Sequence, residues 1–325
     1  MGAARPPYRP DIFGVLDSLS RLERWLIKNT TKLACENIKA AFLQTGRDAV
    51  FCALWLVILN LMAKKILMCP PTYFDIEYEI NVWMHTSDQP SELTAQQQWD
   101  KLHQIYTDQL GWQVELIEPA KGLPDMVFAT DCCLKVGDKI LLSSFRYPER
   151  QPETEQFEKW FRDNGFSQLK RAKNIFEGGG DNLLCGNKII AGHGFRSAPE
   201  AANELADYFD LEVISLKIVD PRFYHLDTSL AVLSDDTVAY YPGAIDEDSR
   251  VRLAKAIPNL VEATLEEAQG FGLNAVSDGH TVITSNQSAS LLQKYRQAGF
   301  EVIGTPILEF RKSGGGVKCL TLDLS

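Results

Sequence analysis

An excess of positive charge, a CxxC pair and an apolar run of twenty residues are all missing from this chain, and each absence removes a class of function. Lysine and arginine number 33 against 43 aspartates and glutamates, a net charge of −10 at pH 7. With no global cationic field to gather phosphates, nucleic acid is excluded as a main partner. The seven cysteines (Cys35, Cys52, Cys69, Cys132, Cys133, Cys185, Cys319) have no regular spacing, so neither a disulfide framework nor a zinc site is indicated. An odd set of this kind points to a reducing compartment, and a cytoplasmic location is expected. At 45% hydrophobic and 23% charged residues, the 325-residue composition builds a core, which excludes wholesale disorder, collagen and coiled coil.

Charge is unevenly spread. Residues 1–66 carry ten Lys/Arg against five Asp/Glu, while the remainder is strongly acidic. Within that basic part, the fifteen residues from Ala49 to Ala63 contain only Asn60 as a polar side chain. A spanning helix needs about twenty apolar residues. The stretch also begins too far along the chain for a secretory signal, and no small-x-small cleavage pattern follows it. Residues 1–65 are therefore read as a basic, partly apolar, helical N-terminal extension, and residues 66–325 as the functional domain, entered through Met62-Ala63-Lys64-Lys65-Ile66. The alternatives are a membrane anchor through 49–63 and a non-native start, with the functional protein beginning at Met62.

From Ile66 onward short strands and helices alternate. Strands are expected at 66–69, 112–117, 126–135, 139–144, 182–185, 188–191, 212–218, 229–233, 237–241, 274–277, 280–284, 301–304 and 318–323. Helices are expected at 95–109, 152–164, 198–209, 247–256, 264–270 and 287–298. Gly137-Asp138, Gly186-Asn187, Ser234-Asp235-Asp236 and Asp278-Gly279 are joints of hairpin length. The repeating order strand, turn, strand, helix, strand suggests pseudosymmetric blades around an axis, with helices outside.

Four fragments carry chemistry. Ser313-Gly314-Gly315-Gly316-Val317-Lys318-Cys319 sets a thiol behind three glycines, which suggests a tight loop around a reacting carbon. In His225-Leu226-Asp227 the imidazole and carboxylate are two apart, so an extended backbone would project both from one face. Phe176-Glu177-Gly178-Gly179-Gly180-Asp181 places an acid between an apolar strand and a glycine loop. Leu123-Pro124-Asp125-Met126-Val127-Phe128-Ala129-Thr130-Asp131 adds two further acids. A thiol nucleophile, a histidine and several carboxylates together suit a cationic substrate attacked at carbon, because carboxylates hold the cation and keep it polarised.

With these motifs, and with the opening Met68-Cys69-Pro70-Pro71 and the stretch Asn81-Val82-Trp83-Met84, the sequence from about residue 66 to the end resembles the guanidine-modifying, or amidinotransferase, superfamily. Its members include arginine deiminase, dimethylarginine dimethylaminohydrolase, arginine dihydrolase and glycine amidinotransferase. The resemblance implies an α/β fold, the fivefold pseudosymmetric β/α-propeller called the pentein. It implies a hydrolase of linear amidines that acts on arginine or a methylated arginine, releasing ammonia or an amine and citrulline, with no metal or organic cofactor. Cys319 is then the nucleophile, His225 the general acid/base and Glu177 the carboxylate that assists it. Asp131 and Asp227 resemble the acids that clamp the guanidinium, Phe128 packs on the substrate, and Asp125 joins the binding set. Arg150 and Arg196, nineteen residues after Asp131 and Glu177 respectively, resemble the arginines that pair with a substrate α-carboxylate.

Two departures bear on the product. Thr130-Asp131-Cys132-Cys133 differs from the asparagine-bearing version of arginine dihydrolases, which speaks against complete conversion to ornithine. Asp227 stands where some dimethylarginine hydrolases have lysine. Both changes supply carboxylates and favour an unsubstituted guanidinium, which has more N–H donors. Amidino transfer, an arginine dihydrolase and a non-catalytic binding protein of the same fold are the alternatives, and the partner expected is a small guanidino compound.

Overall fold

The computed structural model describes residues 63–325, and five three-stranded sheets of one plan succeed one another along them. In the second module β3 (Cys133–Val136) turns into antiparallel β4 (Lys139–Leu142), helix α2 (Glu153–Asp163) crosses over, and β5 (Gln168–Arg171) returns parallel to β4. Parallel neighbours cannot be joined by a tight turn, so a helix must carry the chain back. The third module repeats the plan with β6 (Asn182–Cys185), β7 (Lys188–His193), α4 (Ala201–Phe209) and β8 (Glu212–Lys217), after a single helical turn α3 (Gly178–Asp181). The fourth uses β9 (Leu230–Ser234), β10 (Thr237–Tyr240), α5 (Glu247–Ala256) and β11 (Asn259–Glu262). The fifth follows the short helix α6 (Leu265–Gln269) with β12 (Val276–Ser277), β13 (Thr281–Ser285), α7 (Ala289–Gln297) and β14 (Glu301–Thr305).

The first module is assembled from both ends of the domain. β1 (Lys65–Met68), α1 (Glu92–Gln104) and β2 (Gln113–Leu116) lack a first strand, and β15 (Leu322–Asp323), reached through the turn α8 (Leu308–Arg311), supplies it in the antiparallel register Ile66↔Asp323 and Leu67↔Leu322. Residues 63–325 thus form a fivefold pseudosymmetric β/α-propeller.

Middle strands are buried on both faces, which is why they read as continuous apolar runs: Ile140, Leu141 and Leu142 are all inaccessible to solvent. Against them pack the apolar stripes of the helices. Phe157 and Phe161 of α2 join Ile140, Leu142, Cys69 and Leu322 in one core, and Leu205 and Phe209 of α4 join Leu141 and Ile189 in another. Each buried phenylalanine contributes about 1.5–3 kcal/mol relative to exposure. Helix entries are capped where the sequence permits: Ser91 accepts from Thr94 N–H, Asp246 from Ser249 N–H, and Thr264 with Glu267 forms a capping box.

Three expectations need correction. Residues 126–135, read as one strand, form two short helical turns (Pro124–Val127, Ala129–Cys132) before β3 begins. Residues 318–321 form a tight turn, and only Leu322–Asp323 pairs as a strand. In both places an apolar run reported burial, which periodicity alone does not distinguish from a strand. The helix expected over 95–109 starts at Glu92 and widens after Gln104, where Leu110 N–H reaches the Ile105 carbonyl. Strands β5 and β11 were not anticipated, because their outer-edge positions are largely polar (Gln168–Arg171, Asn259–Glu262). The expected N-terminal extension and its apolar stretch lie, up to residue 62, outside the described residues. Among the described residues no helix is long and apolar enough to cross a membrane.

Candidate active site

The five modules deliver chemistry by one device: the segment leading into each first strand carries a polar residue inward. Asp131 precedes β3, Glu177 to Asp181 precede β6, His225 and Asp227 precede β9, Asn274 precedes β12, and Cys319 precedes β15. Neighbouring segments are stitched together around the ring. Thr130 N–H donates to the Cys319 carbonyl and Phe176 N–H to the Ser144 carbonyl. Leu226 N–H donates to Asp181 Oδ1, the Asn274 amide donates to the Asp227 carbonyl, and Cys319 N–H donates to Asn274 Oδ1. Position at the site therefore follows from ring closure, not from proximity in sequence.

Cys319, 1% exposed, points its sulfur at Asp227 Oδ2, 3.3 Å away. Burial, Asp227 and Asp131 push the thiol well above its ordinary pKa. Burial and the neighbouring Asp131 raise the Asp227 carboxyl in turn to about 7. The same aspartate is thus placed to accept the thiol proton near neutral pH.

His225 is fully buried, with Nε2 2.8 Å from Glu177 Oε2 and Nδ1 3.7 Å from Asp131 Oδ1. Burial disfavours its charged form, but Asp131, Asp181 and Glu177 outweigh that and push its pKa up to about 9. Glu177 also receives Arg196 Nη1 at 2.9 Å and the Arg146 N–H at 3.0 Å. Burial alone would raise the Glu177 carboxyl, yet Arg196 and His225 hold it well below the usual carboxylate range. Imidazolium and carboxylate are the stable pair.

Asp131 Oδ2 is gripped by Arg150 Nη1 at 2.6 Å, and Arg150 makes two further bonds of 2.9 Å to Glu153 and one of 3.2 Å to the Asp125 carbonyl. Asp125 Oδ2 accepts from the Tyr78 hydroxyl at 3.0 Å. Arg196 lies with its guanidinium 4.8 Å from the Tyr147 ring centroid and 4.6 Å from that of Tyr224, and also bonds the Ile80 carbonyl. Phe128 packs edge-on against Phe74. The residues expected at the site are therefore brought together, but the two arginines meet internal carboxylates in this structure.

Three local expectations were wrong. His225 and Asp227 do not project from one extended face: Leu226–Thr228 forms a helical turn, locked by Leu226 N–H on Asp181 and the Thr228 hydroxyl on the His225 carbonyl, so His225 reaches Glu177 and Asp227 reaches Cys319. The three glycines before Cys319 are crowded by the protein's own side chains. A Cβ at Gly315 would strike the Phe128 ring, and one at Gly316 would lie 2.8 Å from Asn274 Oδ1. The glycine loop after Glu177 is instead the helical turn α3, whose first residue, Gly178, has φ +43° and lies against the Asp131 backbone.

The charge balance is unusual. Six carboxyl groups (Asp125, Asp131, Glu153, Glu177, Asp181, Asp227) are buried around two guanidiniums, one imidazole and the partly buried Lys318. Asp125 Oδ1, Asp131 Oδ1, Asp227 Oδ1 and His225 Nδ1 are buried with no hydrogen-bond partner. Buried acceptors without donors cost about 1–3 kcal/mol each, more when charged. A planar cation rich in N–H groups is the complement of that arrangement.

Comparison with known proteins agrees with this reading. The profile of the family described as N,N dimethylarginine dimethylhydrolase, eukaryotic, matches residues 70–325. The N(G),N(G)-dimethylarginine dimethylaminohydrolase of Mycobacterium tuberculosis is 41% identical over 261 residues, 80% of this chain and 86% of that protein. The bifunctional arginine dihydrolase/ornithine cyclodeaminase ArgZ of Synechocystis is 42% identical over 267 residues, 80% of this chain but only 38% of the relative. The crystal structure of the N-terminal domain of ArgZ, bound to product, superposes with a TM-score of 0.77 at 40% identity, covering 81% of this chain and 98% of that domain.

Proposed function

We infer the reaction from two premises: the chain belongs to the eukaryotic N,N-dimethylarginine dimethylhydrolase family, and its site buries carboxylate oxygens that lack a donor. It is a hydrolase of the guanidino group of arginine or a methylated arginine. The observation that carries this reading is the pair of partnerless oxygens, Asp131 Oδ1 and Asp227 Oδ1, on the aspartates that face His225 and Cys319 respectively. A guanidinium between them would receive acceptors on two sides.

The chemistry starts at Cys319. A bound cation favours the thiolate, and Asp227, with its carboxyl near 7, takes the thiol proton. The thiolate sulfur adds to the guanidinium carbon, giving a tetrahedral adduct. His225 is held charged, and its Nε2 is occupied by Glu177, so Nδ1 delivers the proton to the departing nitrogen. The C–N bond breaks, ammonia or an amine leaves, and an S-alkylthiouronium remains. Water, deprotonated by the now neutral imidazole, adds to the same carbon; the new hydroxyl loses its proton to solvent as the carbonyl forms, the C–S bond breaks to yield citrulline, and the departing thiolate recovers its proton from Asp227. Carboxylates already in position stabilise the cation throughout.

Between substrates, the site favours unsubstituted arginine, since each methyl group removes an N–H that the buried oxygens could accept. Of the arginines, Arg196 suits the α-carboxylate better. Its bonds to Glu177 and the Ile80 carbonyl use two of five donors. The four bonds of Arg150 to Glu153, Asp131 and Asp125 make it a support for Asp131. Location in the cytoplasm, and the extension as a separate part of the chain, complete the reading. Incubation with arginine, monomethylarginine, asymmetric dimethylarginine and agmatine, with products identified by mass, tests it. Citrulline and ammonia from arginine at the highest kcat/KM is the expected result, and faster dimethylamine release would reverse the substrate order.

A further inference from the structure

Module five contributes one polar side chain to the ring, Asn274, and none of the sequence motifs pointed to it. It is fully buried, and its amide makes four hydrogen bonds around the nucleophile. Oδ1 accepts from Lys318 N–H at 2.8 Å and from Cys319 N–H at 3.2 Å. Nδ2 donates to the Asp227 carbonyl at 3.2 Å and to Cys319 Sγ at 3.1 Å. The orientation is dictated by chemistry: a flipped amide would set its NH₂ against two backbone N–H donors. Both amide hydrogens therefore have fixed destinations, and one of them is the sulfur.

We propose that Asn274 is the neutral donor that positions the Cys319 sulfur and stabilises its thiolate. The proposal rests on Cys319 being the nucleophile and assigns the residue that makes it competent. Around the sulfur, the charged and titratable groups are Asp227 from the turn before β9, Asp131 from the turn before β3, Tyr224 beside His225, and Lys318 on the nucleophile's own turn. The two aspartates oppose a thiolate. Lys318 favours one, but its amine is directed to the Thr130 hydroxyl, 2.9 Å away. Asn274 is the side chain among these neighbours that donates a hydrogen bond to the sulfur itself, where the Gly316 backbone N–H also acts, and hydrogen bonds to the charged form favour that form. The chain is also shaped to keep it there, since a side chain at Gly316 would press on Oδ1.

Two variants separate this role from scaffolding. Asn274→Asp keeps an acceptor for the two backbone N–H groups while removing the donor; Asn274→Ala removes the donor without adding charge. The rate of Cys319 alkylation by 2-chloroacetamidine is followed against pH, alongside kcat and KM for arginine and the circular dichroism of each variant. In both variants the alkylation midpoint moves to higher pH and kcat falls about 10–100-fold, the range for a hydrogen bond to a charged group, with KM little changed. An unmoved midpoint in folded Asn274→Ala overturns the proposal, even if Asn274→Asp shifts, because charge alone would then explain the aspartate. Loss of fold in both variants makes Asn274 a scaffold and overturns it too. Cys319→Ser runs in the same series: turnover by that variant would refute the nucleophile assignment itself, a different failure.

Discussion

Glu177 Oε2 lies 2.8 Å from His225 Nε2 with both side chains fully buried, and this contact decides which imidazole nitrogen is left for chemistry. The orienting acid also keeps the ring charged before substrate arrives. Glu177→Gln preserves size and removes the charge. It is expected to lower kcat about 100-fold or more, the usual contribution of a positioned acid/base, and to leave Arg196 without its carboxylate. Steady-state kinetics on folded protein check this, and a kcat within a factor of two or so of wild type would remove the His225 assignment's main support.

Activity should follow a bell-shaped pH profile. Asp227 must be ionised to accept the thiol proton, so kcat/KM falls as pH drops through about 7. His225 must be protonated to discharge the leaving nitrogen, so kcat/KM falls as pH rises through about 9. A profile that stays flat well below 7 and well above 9 would contradict both roles.

Stability follows the same groups. His225, raised in the folded protein from 6.5 to about 9, stabilises fully below pH 6.5, and that contribution is lost as pH rises through about 9. Glu177, lowered from 4.5, stabilises above pH 4.5 and loses its contribution on further acidification. Asp227, raised in the folded protein from 3.8 to about 7, withdraws stability as pH rises between those values, so melting temperatures should peak near pH 4 to 4.5 and decline on both sides. In His225→Ala the alkaline decline should shrink, which a thermal melt series from acid to alkaline pH would register.

Arg150 and Arg196 are separable with agmatine, which lacks the α-carboxylate. Arg196→Ala should raise KM for arginine far more than for agmatine. Arg150→Ala, acting through Asp131, should impair both substrates alike. If Arg150→Ala proves selective for arginine instead, the carboxylate-binding role returns to it.

Glu153 is fully buried and bonds Arg150 twice at 2.9 Å. Glu153→Ala removes two of the four bonds of that buried guanidinium and leaves it Asp131 and the Asp125 carbonyl, and breaking a buried pair costs up to about 3–5 kcal/mol. Chemical denaturation should reveal the loss, and a cost below about 1 kcal/mol, as for an exposed pair, would show that water reaches Arg150.

How far the sequence could be read depended on what each residue had to signal. Middle strands such as β7 declare themselves by unbroken apolar runs, and the hairpin glycines by their joints. Outer strands β5 and β11 do not, because their hydrogen bonds come from the backbone of β4 and β10 and leave little imprint on the side chains. Cys319, His225, Glu177, Asp131 and Asp227 were legible as motifs. Their partnerships were not, since the turn at Leu226–Thr228 sends neighbours two residues apart to different groups. Asn274 was silent as a site residue: it reads only as the first residue of the strand expected over 274–277, and its meaning exists only once Gly316, Lys318 and Cys319 arrive from more than forty residues away.

Closing the ring through the pairing of Ile66 with Asp323 also sets a timetable. On the ribosome, the Cys319 turn is made last and β1 has waited for it through four complete modules. Every acid of the site is therefore synthesised before the sulfur that would react among them, and no catalytically competent intermediate can exist on a partly translated domain.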